Sequence, residues 1–201
     1  MCGQYDISET GSVLNSLFGF QTEFEFVATA HLSPTQMAPV VALGSDGTMK
    51  AVPMRWGLEP GWMRTLPSRP IFNARSETVS EKPMFRDAFA KRRALAPASA
   101  FYEWQGEPGS KTRYRFTRTD GEPMVFAGLW EKRKLDTGDL KLTYTILTCT
   151  PSADVAEYHD RMPVILSPEH WPVWLAPETP PGDLKALLKP AEDGFLEAKA
   201  S

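Results

Sequence analysis

The chain has 201 residues, 22 Lys+Arg against 25 Asp+Glu for a formal net charge of −3, and is 42% hydrophobic and 23% charged. This length supports one complete hydrophobic core and is short for two ordinary domains, and the composition excludes a disordered or fibrous chain. The longest apolar stretches are strand-sized, well short of the roughly 20 residues of a spanning helix. Asp6 and Glu9 come early with no apolar h-region, which argues against a signal peptide, so a cytoplasmic protein is expected.

Two cysteines separated by most of the chain make neither a disulfide framework nor a CxxC site, and three scattered histidines do not complete one; we expect no metal and no cofactor. The charge is unevenly placed. Arg55 to Arg118 holds 13 Lys+Arg and 6 Asp+Glu, a local +7 between acidic ends. Any single arginine in that block is better read as paired or solvated, but together they permit a phosphate-binding face.

In chain order, Val13, Leu14, Leu17 and Phe18 fall at helical spacing after Ser8, which predicts a short amphipathic helix over residues 9–18. Strands are predicted for Met49 to Trp56, Ala94 to Trp104, Tyr114 to Arg118, Met124 to Trp130, Leu142 to Thr150 and Pro163 to Leu166. Turn-formers Asp120-Gly121 and Thr137-Gly138-Asp139 lie between neighbours. Further helices are expected over Met84 to Arg92, Pro168 to Trp174 and Asp183 to Leu188. These helices do not alternate regularly with the strands, so an α+β domain with a largely antiparallel sheet fits better than a doubly wound one. A single domain over 1–190 is expected, with 191–201 as a frayed tail.

Chemistry begins at Met1-Cys2-Gly3. Initiator methionine is removed when residue two is small, and cysteine qualifies, so we expect a mature chain beginning at Cys2. An N-terminal cysteine carries an α-amine of pKa about 7.7–8.0 beside a thiol of about 8.5. The amine condenses with an aldehyde to an imine, and the thiol closes that imine to a five-membered thiazolidine. A cysteine at position two is a common coincidence when taken alone. Glu103 alone reads as a strand-end carboxylate, His159 as a satisfied core or loop histidine, and Asn73 as a turn residue.

Taken together, Cys2, Asn73-Ala74-Arg75-Ser76-Glu77-Thr78, Glu103-Trp104 and His159-Asp160-Arg161-Met162-Pro163 resemble the SRAP family (SOS response-associated peptidase, the abasic-site processing proteins), in family order from Met1 to roughly Trp174. The resemblance implies a barrel-like SRAP β core with a few peripheral helices. It implies that Cys2 is the covalent nucleophile, that Asn73 holds it by hydrogen bonding, that Glu103 handles protons at the amine, and that His159 helps open the abasic sugar to its aldehyde. Arg75 and Arg161 would contact DNA phosphates, and Trp62 would offer a stacking face. Three positions depart from the pattern: Gln4 where arginine is usual, His31 where asparagine is usual, and Met63 where a second aromatic is common.

The implied partner is single-stranded DNA containing abasic sites, bound by a monomer that is nucleoid-associated during DNA damage, with no membrane. Two other readings share these residues: a cysteine-dependent (auto)peptidase, and a non-covalent reader of single-stranded or modified DNA. Cys149, in a strand-like run, is expected to be a buried, inert thiol.

Overall fold

A computed structural model describes residues 2–8, 16, 18, 19, 28–107 and 109–201. In chain order the strands are β1 (Tyr5–Ile7), β2 (Thr29–Leu32), β3 (Met37–Leu43), β4 (Met49–Trp56), β5 (Asn73–Arg75), β6 (Arg93–Ala98), β7 (Ala100–Gln105), β8 (Thr112–Arg118), β9 (Met124–Lys134), β10 (Leu140–Cys149), β11 (Met162–Pro163) and β12 (Leu196–Ala200). The helices are short: α1 (Arg86–Lys91), α2 (Ala153–Ala156), α3 (Trp171–Leu175) and α4 (Pro181–Ala186), with a 3-10 turn at Pro168–His170 leading into α3. The helix expected over 9–18 falls largely outside the described residues.

Two sheets build one α+β domain. In the first, β10, β4, β3, β6 and β9 pair in sequence, and β9 returns to β10, closing a five-stranded barrel. Closure removes the free edges that an open sheet would expose. The second sheet runs β12-β8-β7-β1-β2 and is antiparallel throughout. Among the described residues parallel pairing is confined to β10, which takes β4 at Thr143 and Tyr144 and then β5 at Ile146 to Thr148 along the same edge.

The run predicted as a single strand from Ala94 to Trp104 is two strands in different sheets. β6 is buried at every residue and closes the barrel, whereas β7 belongs to the second sheet. The corner falls at Ser99, whose N–H donates to Asp6 O at 2.8 Å and whose hydroxyl meets Ser8 Oγ at 2.8 Å. A continuous apolar run carries no local mark of such a corner.

The tail expected to fray after Pro190 instead contributes β12, which pairs with β8 from Leu196↔Arg118 to Ala200↔Tyr114. Leu196 is buried, and Asp154 of α2 accepts from Leu196 N–H at 3.0 Å, fixing the strand's entry.

The sheets meet through aromatic packing. Tyr5 of β1 reaches across to Tyr144 of β10, hydroxyl to hydroxyl at 2.5 Å, and sets its ring edge-on to Trp56 at 5.0 Å. Phe101 stacks on Phe116 at 4.8 Å and meets Phe126 of the barrel edge-on at 6.1 Å. Alternation along β7 follows from this: Phe101 and Glu103 share the inward face, and Tyr102 takes the other.

Candidate active site

β7 places Glu103 two residues beyond the core ring Phe101, so its carboxylate enters the molecule at the end of an otherwise apolar face. Glu103 is only 2% exposed. Burial, above all, raises its pKa to about 7, and the nearby charge of Asp160 acts in the same direction.

His159 follows α2 in the turn to β11 and sets Nε2 3.7 Å from Glu103 Oε2. Its Nδ1 lies 2.9 Å from the Arg161 backbone N and 3.0 Å from Asp160 Oδ1. Burial lowers the histidine's pKa, with Asp160 pulling the other way. Burial thus pushes both groups toward their neutral forms.

Cys2 is fully buried in the segment leading into β1, and its Sγ–H points to Gln4 O at 3.8 Å. Burial first, and the charge of Glu103 second, push its thiol well above the ordinary cysteine range. That electrostatic coupling puts the thiol in the neighbourhood of the Glu103 carboxylate. Asn73 opens β5 in register with Ile146, and both its side-chain Oδ1 and Nδ2 are buried without a hydrogen-bond partner among the described residues. An amide buried with four unused hydrogen-bonding positions is costly, and such a group fits a site that receives a polar ligand.

Arg161 and Arg75 have different surroundings. Arg161 is 7% exposed, and its guanidinium forms a fork with Glu77, Nη1 to Oε1 at 2.5 Å and Nη2 to Oε2 at 2.9 Å. Nη2 also donates to Thr148 O at 2.5 Å. It ties the His159 turn to the segment after β5, and so holds two parts of the site together. Arg75 is exposed at the end of β5 and has no carboxylate within ion-pair distance among the described residues.

Trp62 is 57% exposed at the tip of the turn Pro60–Met63. Arg133 of β9 pins that turn by donating to Pro60 O at 3.3 Å and Met63 O at 2.7 Å. Gly61 is needed there, because a Cβ would lie 2.9 Å from Lys132 O.

The departures at Gln4 and His31 converge on the outer face of the second sheet. Gln4 Oε1 accepts from Arg113 Nη1 at 3.3 Å, so a cation from β8 stands beside position 4. His31 adopts a left-handed φ of 56°, held by its N–H donating to Asp6 Oδ1 at 2.8 Å. Cys149 is buried, its thiol pushed up to about 12 mainly by burial.

Reasoning from sequence missed the Glu77–Arg161 lock and the Arg113–Gln4 contact. Both join residues more than 80 positions apart, a separation that carries no local signature.

The family model of SOS response associated peptidases (SRAP) matches residues 1–200. The chain belongs to the SRAP family. Among curated relatives, "Abasic site processing protein YoqW" of Bacillus subtilis is 35% identical over 205 residues, covering 98% of this chain and 91% of that protein. A crystal structure of a protein from Bordetella bronchiseptica superposes with a TM-score of 0.86 at 30% identity, covering 100% of this SRAP chain and 99% of that one. Another, from Bacteroides thetaiotaomicron, gives 0.89 at 26% identity, covering 99% and 91%. The SRAP fold therefore extends through β12.

Proposed function

We propose that this SRAP protein processes abasic sites in single-stranded DNA by covalent capture, with Cys2 as the N-terminal residue after removal of Met1. The observation that carries the reading is the buried Glu103 carboxyl, raised to about 7, 3.7 Å from His159 and coupled to Cys2. A carboxyl that gains and loses a proton near neutral pH is suited to imine chemistry, which needs both transfers in turn.

The steps balance without a cofactor. The abasic sugar rests mainly as a closed hemiacetal. His159 takes the proton from its C1′ hydroxyl, a proton returns to the ring oxygen as the C1′–O4′ bond breaks, and the aldehyde is released. The Cys2 α-amine adds to the aldehyde carbon and one of its protons passes to the carbonyl oxygen to give a hydroxyl; Glu103 then accepts the second proton from nitrogen and delivers it to that hydroxyl, which leaves as water to give the imine. The Cys2 thiol adds to the imine carbon while its proton passes to nitrogen, closing the thiazolidine. The net change is aldehyde plus amine plus thiol to thiazolidine plus water. Asn73, with an uncommitted donor and acceptor, would hold the N-terminal residue or the sugar hydroxyl in place.

The protonation pattern weighs against a peptidase reading of the same residues. A cysteine peptidase needs a thiolate beside an imidazolium, whereas here the thiol is pushed up and the histidine down. An amine-first route uses a neutral thiol and a neutral imidazole.

The test is a denaturing gel of the protein incubated with a single-stranded oligonucleotide carrying one abasic site. A shifted band that survives denaturation, and is missing with Cys2→Ala, is expected. Binding without a shifted band supports a non-covalent reader, and peptide cleavage abolished by Cys2→Ala without a DNA band supports the peptidase.

A further inference from the structure

A concavity of about 400 Å³ opens between the end of β4 and the segment Leu66 to Ile71, two stretches that flank the Trp62 turn in the sequence. Leu58, Leu66 and Ile71 give it apolar walls, Arg55 and Glu59 a polar floor, and Arg69 stands at its rim. The floor is rigid. Glu59 is buried and accepts from Arg55 Nη1 at 2.9 Å and from Lys141 Nζ at 2.7 and 2.8 Å, so three charged groups from two stretches of chain are locked together.

Two backbone features shape the opening. Thr35 lines it with a φ of 82°, a region that a β-branched side chain rarely enters, and is held there by its N–H donating to Trp56 O at 2.7 Å. Gly57 has a φ of 127° and packs so near Pro70 that a Cβ would lie 3.2 Å from the proline's own Cβ.

Charge and position together indicate the occupant. Arg69 is exposed and, among the described residues, has no carboxylate within ion-pair distance, and the same is true of Arg64 in the same loop. The cations of the floor are consumed by Glu59, but those at the rim are free for an anion. The groove also runs toward the candidate site, because Ile71 in its wall is two residues before Asn73 and Leu58 N–H donates to Ile71 O at 2.9 Å. A slot of nucleotide size, with apolar walls, a polar floor and the exposed Arg69 in its lining, matches a base with its attached phosphate.

We propose that this groove is a subsite for one nucleotide of the captured strand next to the lesion: the base lies between Leu58, Leu66 and Ile71, and its phosphate meets Arg69. The proposal rests on single-stranded DNA being the substrate and deepens that reading by adding a flanking-nucleotide site. It assigns Arg69 and the groove walls to positioning of the strand rather than to the covalent step.

Two variants test it. Arg69→Gln removes the rim charge, and Ser68→Trp, at an exposed lining position, fills the slot. Binding of an undamaged single-stranded oligonucleotide is measured by fluorescence anisotropy over a range of salt, and adduct formation is measured with an abasic oligonucleotide and with versions trimmed on either side of the lesion.

Arg69→Gln is expected to weaken binding by about 3- to 10-fold and to reduce the slope of log affinity against log salt by about one, with Arg69→Lys restoring the slope. Ser68→Trp is expected to weaken binding by a similar factor, and trimming the strand on the side served by the groove brings the wild type to the level of both variants. Wild-type affinity and salt slope in both Arg69→Gln and Ser68→Trp, with adducts forming normally, would overturn the subsite and leave covalent capture standing. Absence of any wild-type adduct, with groove-dependent anisotropy retained, would instead remove covalent capture and leave the subsite.

Discussion

Glu103 Oε2 lies 3.7 Å from His159 Nε2, and burial moves their proton affinities in opposite directions, raising the carboxyl to about 7 and lowering the imidazole. A carboxyl that gains and loses a proton near neutral pH beside an imidazole is suited to proton transfer. That relationship sets the expected behaviour of both residues.

For Glu103 the linkage has a definite sign. Its folded pKa exceeds the value of about 4.3 expected in the unfolded chain, so the unfolded state ionises first and folding stability falls as pH rises from about 4.3 to about 7. Glu103→Gln removes that loss. The variant should be more stable than wild type at pH 8, by up to about 3 kcal/mol, and no more stable at pH 4, while forming adduct at least about 100-fold more slowly. Denaturant unfolding at the two pH values, with a time course of adduct formation, checks both halves.

His159 is assigned to opening the sugar, so its importance should depend on the substrate. His159→Gln should slow capture of a ring-closed abasic site by about 10- to 100-fold, but have little effect on an abasic site already converted by strand cleavage to its unsaturated aldehyde, which has no ring to open. Equal losses on the two substrates would remove the ring-opening role.

The Arg161–Glu77 fork predicts a stability effect. Arg161→Ala leaves Thr148 O with only its bond from Ser76 N–H and Glu77 without its guanidinium partner, and should cost about 2–3 kcal/mol, below the usual range for a buried pair because Glu77 is 45% exposed. Arg161's hydrogen bonds, above all, hold the Glu77 carboxyl below its ordinary range. Its contribution is therefore present above the unfolded carboxylate pKa and is lost as pH falls through the lowered folded value. Unfolding titrations of Arg161→Ala and wild type at pH 7 and pH 3 should converge at the lower pH.

Part of both sheets was legible in the sequence because β8, β9 and β10 carry β-branched and aromatic residues and are bounded by turn residues. The elements that escaped are those whose existence depends on partners. β5 has three residues and is a strand because β10 offers it an edge, and β12 is polar on alternate positions and is ordered by β8. β3 contains Pro39, which ordinarily argues against an interior strand, but Pro39 faces Pro53 across the ladder, placing two residues that lack an N–H at the same rung. At the site, Asn73, Glu103 and His159 could be picked out by the motifs around them. Their electrostatics could not, because the raised carboxyl of Glu103 follows from burial, which only the packed fold sets.

Trp62 separates binding from folding. With 57% of its surface exposed, Trp62→Ala should change stability by no more than about 0.5 kcal/mol, yet weaken binding of a single-stranded oligonucleotide by about 1–3 kcal/mol if a base stacks there. Thermal unfolding and anisotropy on the same preparation measure the two effects.

The central claim is that Cys2, freed of Met1, forms a thiazolidine with an abasic site. Its most direct test is the intact mass of the denatured adduct after nuclease trimming, followed by fragmentation to locate the bond. The account predicts a chain lacking Met1, carrying the trimmed DNA remnant minus one water, with the link at residue 2. An adduct on a chain that retains Met1, a link at any other residue, or no adduct at all would contradict it.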